Sequence, residues 1–169
     1  MATLVLVHVG DKFPEYINHC ISQIRSITKI PVQVLISKKH AEKISSNVEL
    51  FFLEEIPKSE NHKKFESFWQ IIETTFPGDR SFWKYTMQRF FYLYDHVLNK
   101  SLTDVFHIEN DNLIYLDFLE NLESFRQKQM WCVMDAKDRC IPSFLYFKDH
   151  NILHKLTETC ILKTTSGLP

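Results

Sequence analysis

Two carboxylates separated by one residue follow an apolar run in the second half of the chain. In VFHIENDNLIY (105–115), an apolar strand pattern leads directly into Glu109, Asn110 and Asp111. In open parallel sheets, ligands bind beyond the carboxyl ends of the strands. Two carboxylates on a turn at such an end can share one divalent cation and leave coordination sites for water and phosphate oxygens. A hydrogen-bonded Asx turn between two strands explains the same triplet equally well.

An arginine lies in the middle of a long apolar helix pattern. The stretch 81–98 is apolar nearly all round, which predicts a buried helix, and Arg89 lies within it. A buried guanidinium is costly unless it meets an anion, and its shape suits bidentate binding of phosphate or carboxylate oxygens. Its partner is therefore either a diphosphate ligand or a structural carboxylate such as Asp95, Asp104 or Asp117.

The end of the first predicted strand is a third candidate position. The run Thr3 to Val9 predicts a buried parallel strand that stops at Gly10. Gly10 would let a base or ribose approach the backbone closely, and His8 could stack on a base or hydrogen-bond to it. A histidine that is satisfied within the fold at a strand end is the alternative for His8.

Alternating strand and helix patterns must position these residues, and short connections between them predict parallel pairing with right-handed crossovers. We therefore predict one α/β domain with a mainly parallel sheet flanked by helices. The predicted strands are 3–9, 31–37, 49–53, 105–108, 129–134 and 143–147. The predicted helices are 15–27, 40–45, 63–75, 81–98, a short one that contains Asp117 and Glu120 and ends near Arg126, and 150–162, with a turn at 76–79.

Composition excludes several classes of function. The chain has 169 residues but only three glycines, where average usage gives roughly twelve, and neither common glycine-rich phosphate loop is present. The net charge of −1 provides no basic field for nucleic acid. The apolar run at the N-terminus is too short for a membrane span or a signal-peptide core. The four cysteines contain no C-x-x-C pair, which favours reduced, buried thiols in a cytoplasmic protein over a disulfide framework or a zinc site.

These features, in this order, resemble the GT-A glycosyltransferases, the nucleotide-diphospho-sugar transferases. Three stretches carry the resemblance: LVLVHVGDKFPEYINHCISQIR (4–25), FWKYTMQRFFYLYDHVL (82–98) and VFHIENDNLIY (105–115). The resemblance implies a GT-A, Rossmann-like fold and transfer of a sugar from a UDP- or GDP-sugar to a hydroxyl of a glycan or protein acceptor. The family's D-x-D metal motif stands here as Glu109-Asn110-Asp111.

The resemblance also implies roles for individual residues. Asp111 and Glu109 would hold Mn²⁺ or Mg²⁺, which neutralises charge on the leaving diphosphate. The implied donor-binding residues are His8, Val9, Gly10, Ser37, Lys84, Thr86, Arg89, Glu109 and Asn110.

The acceptor side is less defined. Asp135 and Asp138 are the acids that could act there, although solvated loop charges explain them as well. GT-A enzymes commonly run past 200 residues, so the chain is either a minimal enzyme or the donor-binding part of a longer protein. The alternatives in function are a GT-A-like module that binds without catalysis and a metal-dependent phosphohydrolase or nuclease.

Overall fold

A mixed β-sheet forms the centre of the molecule. The computed structural model describes residues 1–45, 47–72, 80–137 and 139–165, and within them six strands form one sheet in the order β3-β2-β1-β4-β6-β5. The strands β1 to β4 run parallel, whereas β6 is antiparallel to both β4 and β5. Their bounds are β1 Thr3–His8, β2 Val32–Ile36, β3 Glu49–Phe52, β4 Val105–Ile108, β5 Met130–Ala136 and β6 Arg139–Phe147.

Helices cover both faces of this sheet. They are α1 Tyr16–Ile27, α2 Glu60–Ile72, α3 Arg80–Asn99, α4 Leu122–Arg126 and α5 His150–Thr165, with 3-10 turns at Lys38–Lys43 and Leu53–Glu55. Alternation along β1 sends Leu4 and Leu6 to the face covered by α1, while Val5 and Val7 pack with α3 and α5 on the other face. The central strand is therefore buried on both sides, as its continuous apolar sequence predicts.

The helix α2 forms a further layer outside α3. Phe65 and Trp69 of α2 are buried with Phe91 of α3 and Ile161 of α5, and the rings of Phe65 and Phe91 stack at 4.5 Å between centroids. This packing holds α2 beside α3.

The structure confirms the α/β class and the parallel βαβ units and corrects several details. Residues 130–136 and 139–147 form an antiparallel hairpin, so this side of the sheet is not parallel. The burial predicted all round α3 is wrong at its beginning, where Phe82 is 56% and Trp83 is 45% exposed. Asp117 and Glu120 precede the short helix α4 rather than lying in it. The predicted turn at 76–79 lies outside the described residues.

Two further expectations concern the cysteines and the membrane. The prediction of buried thiols holds for Cys20, but Cys140 is exposed, and Cys132 and Cys160 are half-buried. All four are free thiols. In the described part of the chain, no helix combines the length and apolar character that crossing a membrane requires.

Candidate functional site

A cleft opens at the carboxyl ends of β1, β2 and β3. Its volume is about 510 Å³, within the range of about 300–1,000 Å³ usual for small-molecule sites. It lies beside the place where the strand order reverses from β1 to β4, the usual ligand position in such sheets. The helices α2 and α3 form its outer wall. The lining residues are Val9, Gly10, Asp11, Ser37, Lys39, Leu53, Glu54, Lys58, Glu66, Lys84, Tyr85, Gln88 and Tyr92.

The charged side chains of the cleft are mostly paired. Lys39 contacts Asp11 at 2.9 Å and Lys58 contacts Glu66 at 2.7 Å. Tyr85 also donates a hydrogen bond of 2.6 Å to Asp11. This bond, followed by that from Lys39, lowers the pKa of Asp11. Among the described residues, Lys84 has no hydrogen-bond or ion-pair partner, so its ammonium remains available to an anion in the cleft.

Arg89 forms an ion pair at the end of β4. Its Nη1 lies 2.5 Å from Oε1 of Glu109, and its Nη2 donates to the carbonyl of Pro142 at 3.4 Å. The Arg89 side chain is 11% exposed, and its Nε is buried without a partner among the described residues. Arg89 therefore forms an ion pair with a carboxylate of the protein, as one of the two sequence-based alternatives predicted, but its partner is Glu109 and not one of the three aspartates expected.

The three carboxylates expected for that alternative are engaged elsewhere. Asp95 accepts a hydrogen bond from His62, Asp104 accepts from Arg126 and Tyr146, and Asp117 accepts from Thr28. Arg89 is thus the basic side chain that faces the acidic turn after β4.

Glu109 to Asn112 form a turn beyond the sheet edge. The amide N–H of Asn112 donates to the Glu109 carbonyl at 3.1 Å, and Asn112 Nδ2 donates to the Ser143 carbonyl at 2.7 Å. Asn110 ties this turn to β1 by donating to the Val7 carbonyl at 2.9 Å. The amide oxygen of Asn110 is buried without a partner among the described residues. A turn is present, but no strand follows it before α4 in the described residues.

The acidic turn offers few ligands to a cation by itself. No group of three or more His, Cys, Asp or Glu side chains is arranged to hold a metal within the described ranges. Glu109 is shared with Arg89, whereas Asp111 is exposed at the turn. Magnesium in phosphate-transfer sites is commonly held by one or two carboxylates together with substrate phosphates and water. The turn fits a cation of that kind, held jointly with a phosphorylated ligand.

A neutral histidine lies beneath this edge. His107 of β4 is buried, and its Nδ1 donates to the Val5 carbonyl at 2.9 Å, which places the proton on Nδ1. Burial, followed by the charge of Arg89, lowers the pKa of His107 to about 3. The imidazole therefore stays neutral at ordinary pH, and Arg89 remains the positive charge above this part of β4.

The structure brings Val9, Gly10, Ser37 and Lys84 together in the cleft. Arg89, Glu109 and Asn110 lie at the neighbouring end of β4. Two predicted donor-binding side chains are engaged elsewhere. His8 Nε2 bonds to the Lys12 carbonyl at 2.9 Å, and its ring contacts those of Phe13 and His40. Thr86 Oγ1 donates to the backbone carbonyls of its own helix.

The acceptor-side candidates belong to the β5–β6 hairpin. Because β5 runs parallel to β4, its carboxyl end reaches the same edge of the sheet as the acidic turn. Asp135 lies there, and its carboxylate contacts the Arg139 guanidinium at 2.5 Å. Asp138 lies outside the described residues.

Several cleft residues were not predicted from the sequence. Tyr85, Gln88 and Tyr92 lie three, four and seven residues apart, so they form one stripe of α3 beside the predicted Lys84. Polar residues at this spacing in an apolar helix were a signal for Tyr85 and Gln88. Glu54 and Glu66 belong to elements distant in sequence, and only the fold brings them to the cleft.

A buried network supports this wall of the cleft. His62 Nδ1 donates to Asp95 Oδ2 at 2.6 Å, and both side chains are fully buried. The other carboxylate oxygen of Asp95 accepts the amide N–H of Ser59 at 3.0 Å. Gln88 donates to Glu66 at 3.1 Å. These bonds join the beginning of α2 to α3 and fix the position of Glu66 at the cleft.

Comparison with known proteins identifies the fold. No protein-family model matches the sequence, and no curated protein matches it. Among solved structures, the PaToxG glycosyltransferase matches with a TM-score of 0.64 and 10% identity over 99% of this chain. The apo form of mouse xyloside xylosyltransferase 1 matches with a TM-score of 0.53 and 8% identity over 95% of this chain. The chain has a GT-A-like glycosyltransferase fold.

The GT-A-like fold confirms the resemblance drawn from the sequence at the level of architecture. The chain spans 62% of the PaToxG glycosyltransferase and 71% of the xylosyltransferase. Both structural neighbours are glycosyltransferases. At 8–10% identity the likeness concerns the fold, so substrate and chemistry must be argued from this chain's own residues.

Proposed function

We propose that the protein is a glycosyltransferase that moves a sugar from a nucleotide-diphosphate sugar to an acceptor hydroxyl, assisted by a divalent cation. The observation that carries the proposal is the meeting of two features at one sheet edge. One is the cleft with Lys84, which has no partner among the described residues, and the other is the turn where Arg89 faces Glu109. The GT-A-like fold supports the same assignment.

The nucleoside would occupy the cleft beyond β1 and β2. Val9 and Gly10 supply backbone there, and Ser37 follows β2. A Cβ atom at Gly10 would lie 3.0 Å from Cε1 of His8, so the missing side chain of Gly10 makes room for the His8 ring. His8 would then support the shape of this turn instead of stacking on the base.

The diphosphate would extend from Lys84 in the cleft to Arg89 at the end of β4. The two cations lie five residues apart on α3, about 140° apart around the helix, so Lys84 faces the cleft and Arg89 faces the turn after β4. Among the described residues, Lys84 has no competing partner. The guanidinium of Arg89 is oriented by Glu109 and presents a fork suited to phosphate oxygens. Positive groups that are already in place stabilise negative charge as the nucleotide diphosphate leaves.

A divalent cation would be held by Asp111 and Glu109 together with the phosphate oxygens. When bound, Mn²⁺ or Mg²⁺ supplies a Lewis acid that neutralises charge on the diphosphate. The exposed Asp111 is the stronger ligand candidate, because Glu109 already shares its charge with Arg89. Asn110 contributes by fixing the turn to β1.

The acceptor would approach from the β5–β6 hairpin. Asp135 is the described acid on that side, and Asp138 belongs to the same segment of the sequence. A hydroxyl of a glycan or a protein fits the open edge there. Release of Asp135 from Arg139 would free its carboxylate to accept the proton of the attacking hydroxyl.

Calorimetric titration with UDP- and GDP-sugars, with and without Mn²⁺, tests the proposal. We expect one of these donors to bind the wild-type chain more tightly with Mn²⁺. We also expect the protein to transfer the sugar of that donor to an acceptor or to water, which is measured as free or transferred sugar after the titration. Asp111→Ala should lose the gain in affinity that Mn²⁺ provides, because it removes the exposed carboxylate. If Mn²⁺ strengthens binding equally in both proteins, the assignment of Asp111 is wrong.

A GT-A-like module that binds a nucleotide sugar without transfer is the second candidate. The pairing of Glu109 with Arg89 favours it, because it weakens one of the two expected cation ligands. Binding without release of sugar in the same titration would select this candidate. A phosphohydrolase or nuclease is not supported, because such enzymes usually gather several carboxylates around metals and no such group occurs in the described ranges.

A further inference from the structure

One carboxylate of the cleft has an oxygen atom that is open to a ligand. Among the described residues, three carboxylates line the cleft, and Asp11 and Glu54 each accept hydrogen bonds at both of their oxygens. Glu66 accepts hydrogen bonds at Oε1, whereas its Oε2 has no hydrogen-bond or ion-pair partner in the part of the chain that the structure describes. The Glu66 side chain is 33% exposed, so a molecule in the cleft can reach this oxygen.

The other oxygen of Glu66 is held by two donors. Lys58 Nζ donates to Oε1 at 2.7 Å, and Gln88 Nε2 donates to it at 3.1 Å. Gln88 is buried, and its Nε2 also lies 3.4 Å from Nε2 of His62. The other ring nitrogen of His62 is bonded to the fully buried Asp95. Because these contacts fix the carboxylate of Glu66, its Oε2 is in place before a ligand binds, which lowers the ordering cost of binding.

A hydroxyl group is the donor that suits Oε2 of Glu66. An ionised carboxylate only accepts hydrogen bonds, so its ligand must present an N–H or O–H group. Planar groups with two parallel N–H donors bind best to both oxygens of a carboxylate at once, and Oε1 is already occupied by Lys58 and Gln88. A single O–H donor, such as a sugar hydroxyl, needs Oε2 alone.

The position of Glu66 relative to Lys84 favours the ribose of a nucleotide. Gln88, which binds Glu66, lies four residues after Lys84, so Gln88 and Lys84 are neighbours on one side of α3, about 6 Å apart along its axis. On the proposed function, Lys84 binds the diphosphate and the nucleoside occupies the cleft. The ribose is bonded directly to that diphosphate, so its hydroxyls would lie in the same part of the cleft as Glu66.

We propose that Glu66 recognises the ribose of the nucleotide by accepting a hydrogen bond from one of its hydroxyls at Oε2. This inference rests on the proposed function, which places the nucleoside in the cleft. Hydrogen bonds from a hydroxyl to an ionised carboxylate are shorter and stronger than those between neutral groups, and a site that bonds a hydroxyl rejects an analogue that lacks it. The cleft therefore distinguishes ribonucleotides from deoxyribonucleotides through Glu66.

Calorimetry with nucleoside diphosphates tests this role of Glu66. UDP and GDP are titrated into the wild-type chain with Mn²⁺ present, and the one that binds more tightly is compared with its 2′-deoxy and 3′-deoxy forms. We expect at least one deoxy form to bind the wild type about tenfold more weakly than the ribonucleotide. In Glu66→Ala this ratio of affinities should fall to about one, because the carboxylate that accepts from the hydroxyl is gone. None of these probes carries a donor sugar, so contacts with that sugar do not contribute.

Glu60→Ala serves as the matched control, because Glu60 lies on the same helix with a side chain that is 78% exposed. It should keep the wild-type ratio. Loosening of α2 would weaken all three nucleotides alike and leave the ratio unchanged, so a ratio that persists in Glu66→Ala would overturn the proposal. If Glu66→Ala binds no nucleotide, Glu66→Gln, which keeps the size of the side chain without its charge, replaces it and should also lower the ratio.

The wild-type titrations separate failure of this inference from failure of the proposed function. Equal affinities of the wild type for the ribonucleotide and both deoxy forms would overturn the role of Glu66 and leave the nucleotide-sugar assignment standing. If neither UDP nor GDP binds the wild type, the proposed function fails and this inference fails with it.

Discussion

Acid should destabilise the protein through His107, well above the pH at which carboxylates titrate. The pKa of this buried histidine is lowered from 6.5 to about 3, first by burial and then by Arg89. The folded state therefore binds no proton here between these values, whereas the unfolded chain does. Stability is complete above the unfolded pKa and falls as the pH decreases below it.

The size of the effect follows from the two pKa values. Each unit of pH below 6.5 costs about 1.4 kcal/mol until the folded pKa is reached, so lowering the pH from 7 to 5 removes about 2 kcal/mol through His107. His96, whose pKa is lowered to about 4 by burial and then by Lys100, acts in the same direction. A matched variant is therefore needed to isolate His107.

Urea unfolding of the wild-type chain and of His107→Asn at both pH values provides that comparison. The asparagine amide can replace Nδ1 as donor to the Val5 carbonyl but does not titrate. We expect the variant to be less stable than the wild type at pH 7, because it packs less well. Between pH 7 and pH 5, the free energy of unfolding of the variant should fall by about 2 kcal/mol less than that of the wild type. An equal loss in both proteins would refute the assignment of a neutral, buried His107.

Two further substitutions test the fold and the cleft. Tyr146→Phe should lower the free energy of unfolding by about 1–2 kcal/mol, because it removes the 2.6 Å hydrogen bond to Asp104. The control Tyr115→Phe changes an exposed ring and should lower the free energy of unfolding by less than about 0.5 kcal/mol. A similar cost for both, measured by urea unfolding, would contradict the role of the buried bond. Lys84→Ala should weaken nucleotide-sugar binding about tenfold or more in calorimetry. The control variant Lys29→Ala, which lies before the amino end of β2, should bind as the wild type does. If the two variants bind with equal affinity, Lys84 does not contact the ligand.

The sequence was sufficient for the parts of the fold that depend on local patterns. The run from Thr3 to Val9 predicted a strand buried on both faces, and the apolar spacing of 15–27 predicted the helix beside it. The antiparallel direction of β6 was not predictable, because it depends on pairing with β4 far away in sequence. The exposure of Phe82 and Trp83 was missed because an apolar pattern does not show where its partners end.

In the candidate site, too, some features follow from local sequence patterns and others depend on tertiary contacts. The apolar helix around Arg89 predicted a buried cation that needs an anion, and the structure supplies Glu109 as its partner. The choice of that carboxylate over Asp95 depends on tertiary contacts, since Asp95 faces His62 of another helix. Likewise, Glu66 reaches the cleft only because α2 packs against α3.

On the proposed function, the carboxyl edge of the sheet binds a diphosphate through Arg89, and a calorimetric comparison tests this binding. A nucleoside diphosphate and the corresponding nucleoside are titrated into the wild-type chain and into Arg89→Ala, with circular dichroism to confirm that the variant is folded. We expect the diphosphate to bind the wild type at least about tenfold more tightly than the nucleoside, and Arg89→Ala to lose most of this difference. An undiminished preference for the diphosphate in folded Arg89→Ala would show that Arg89 does not bind the diphosphate.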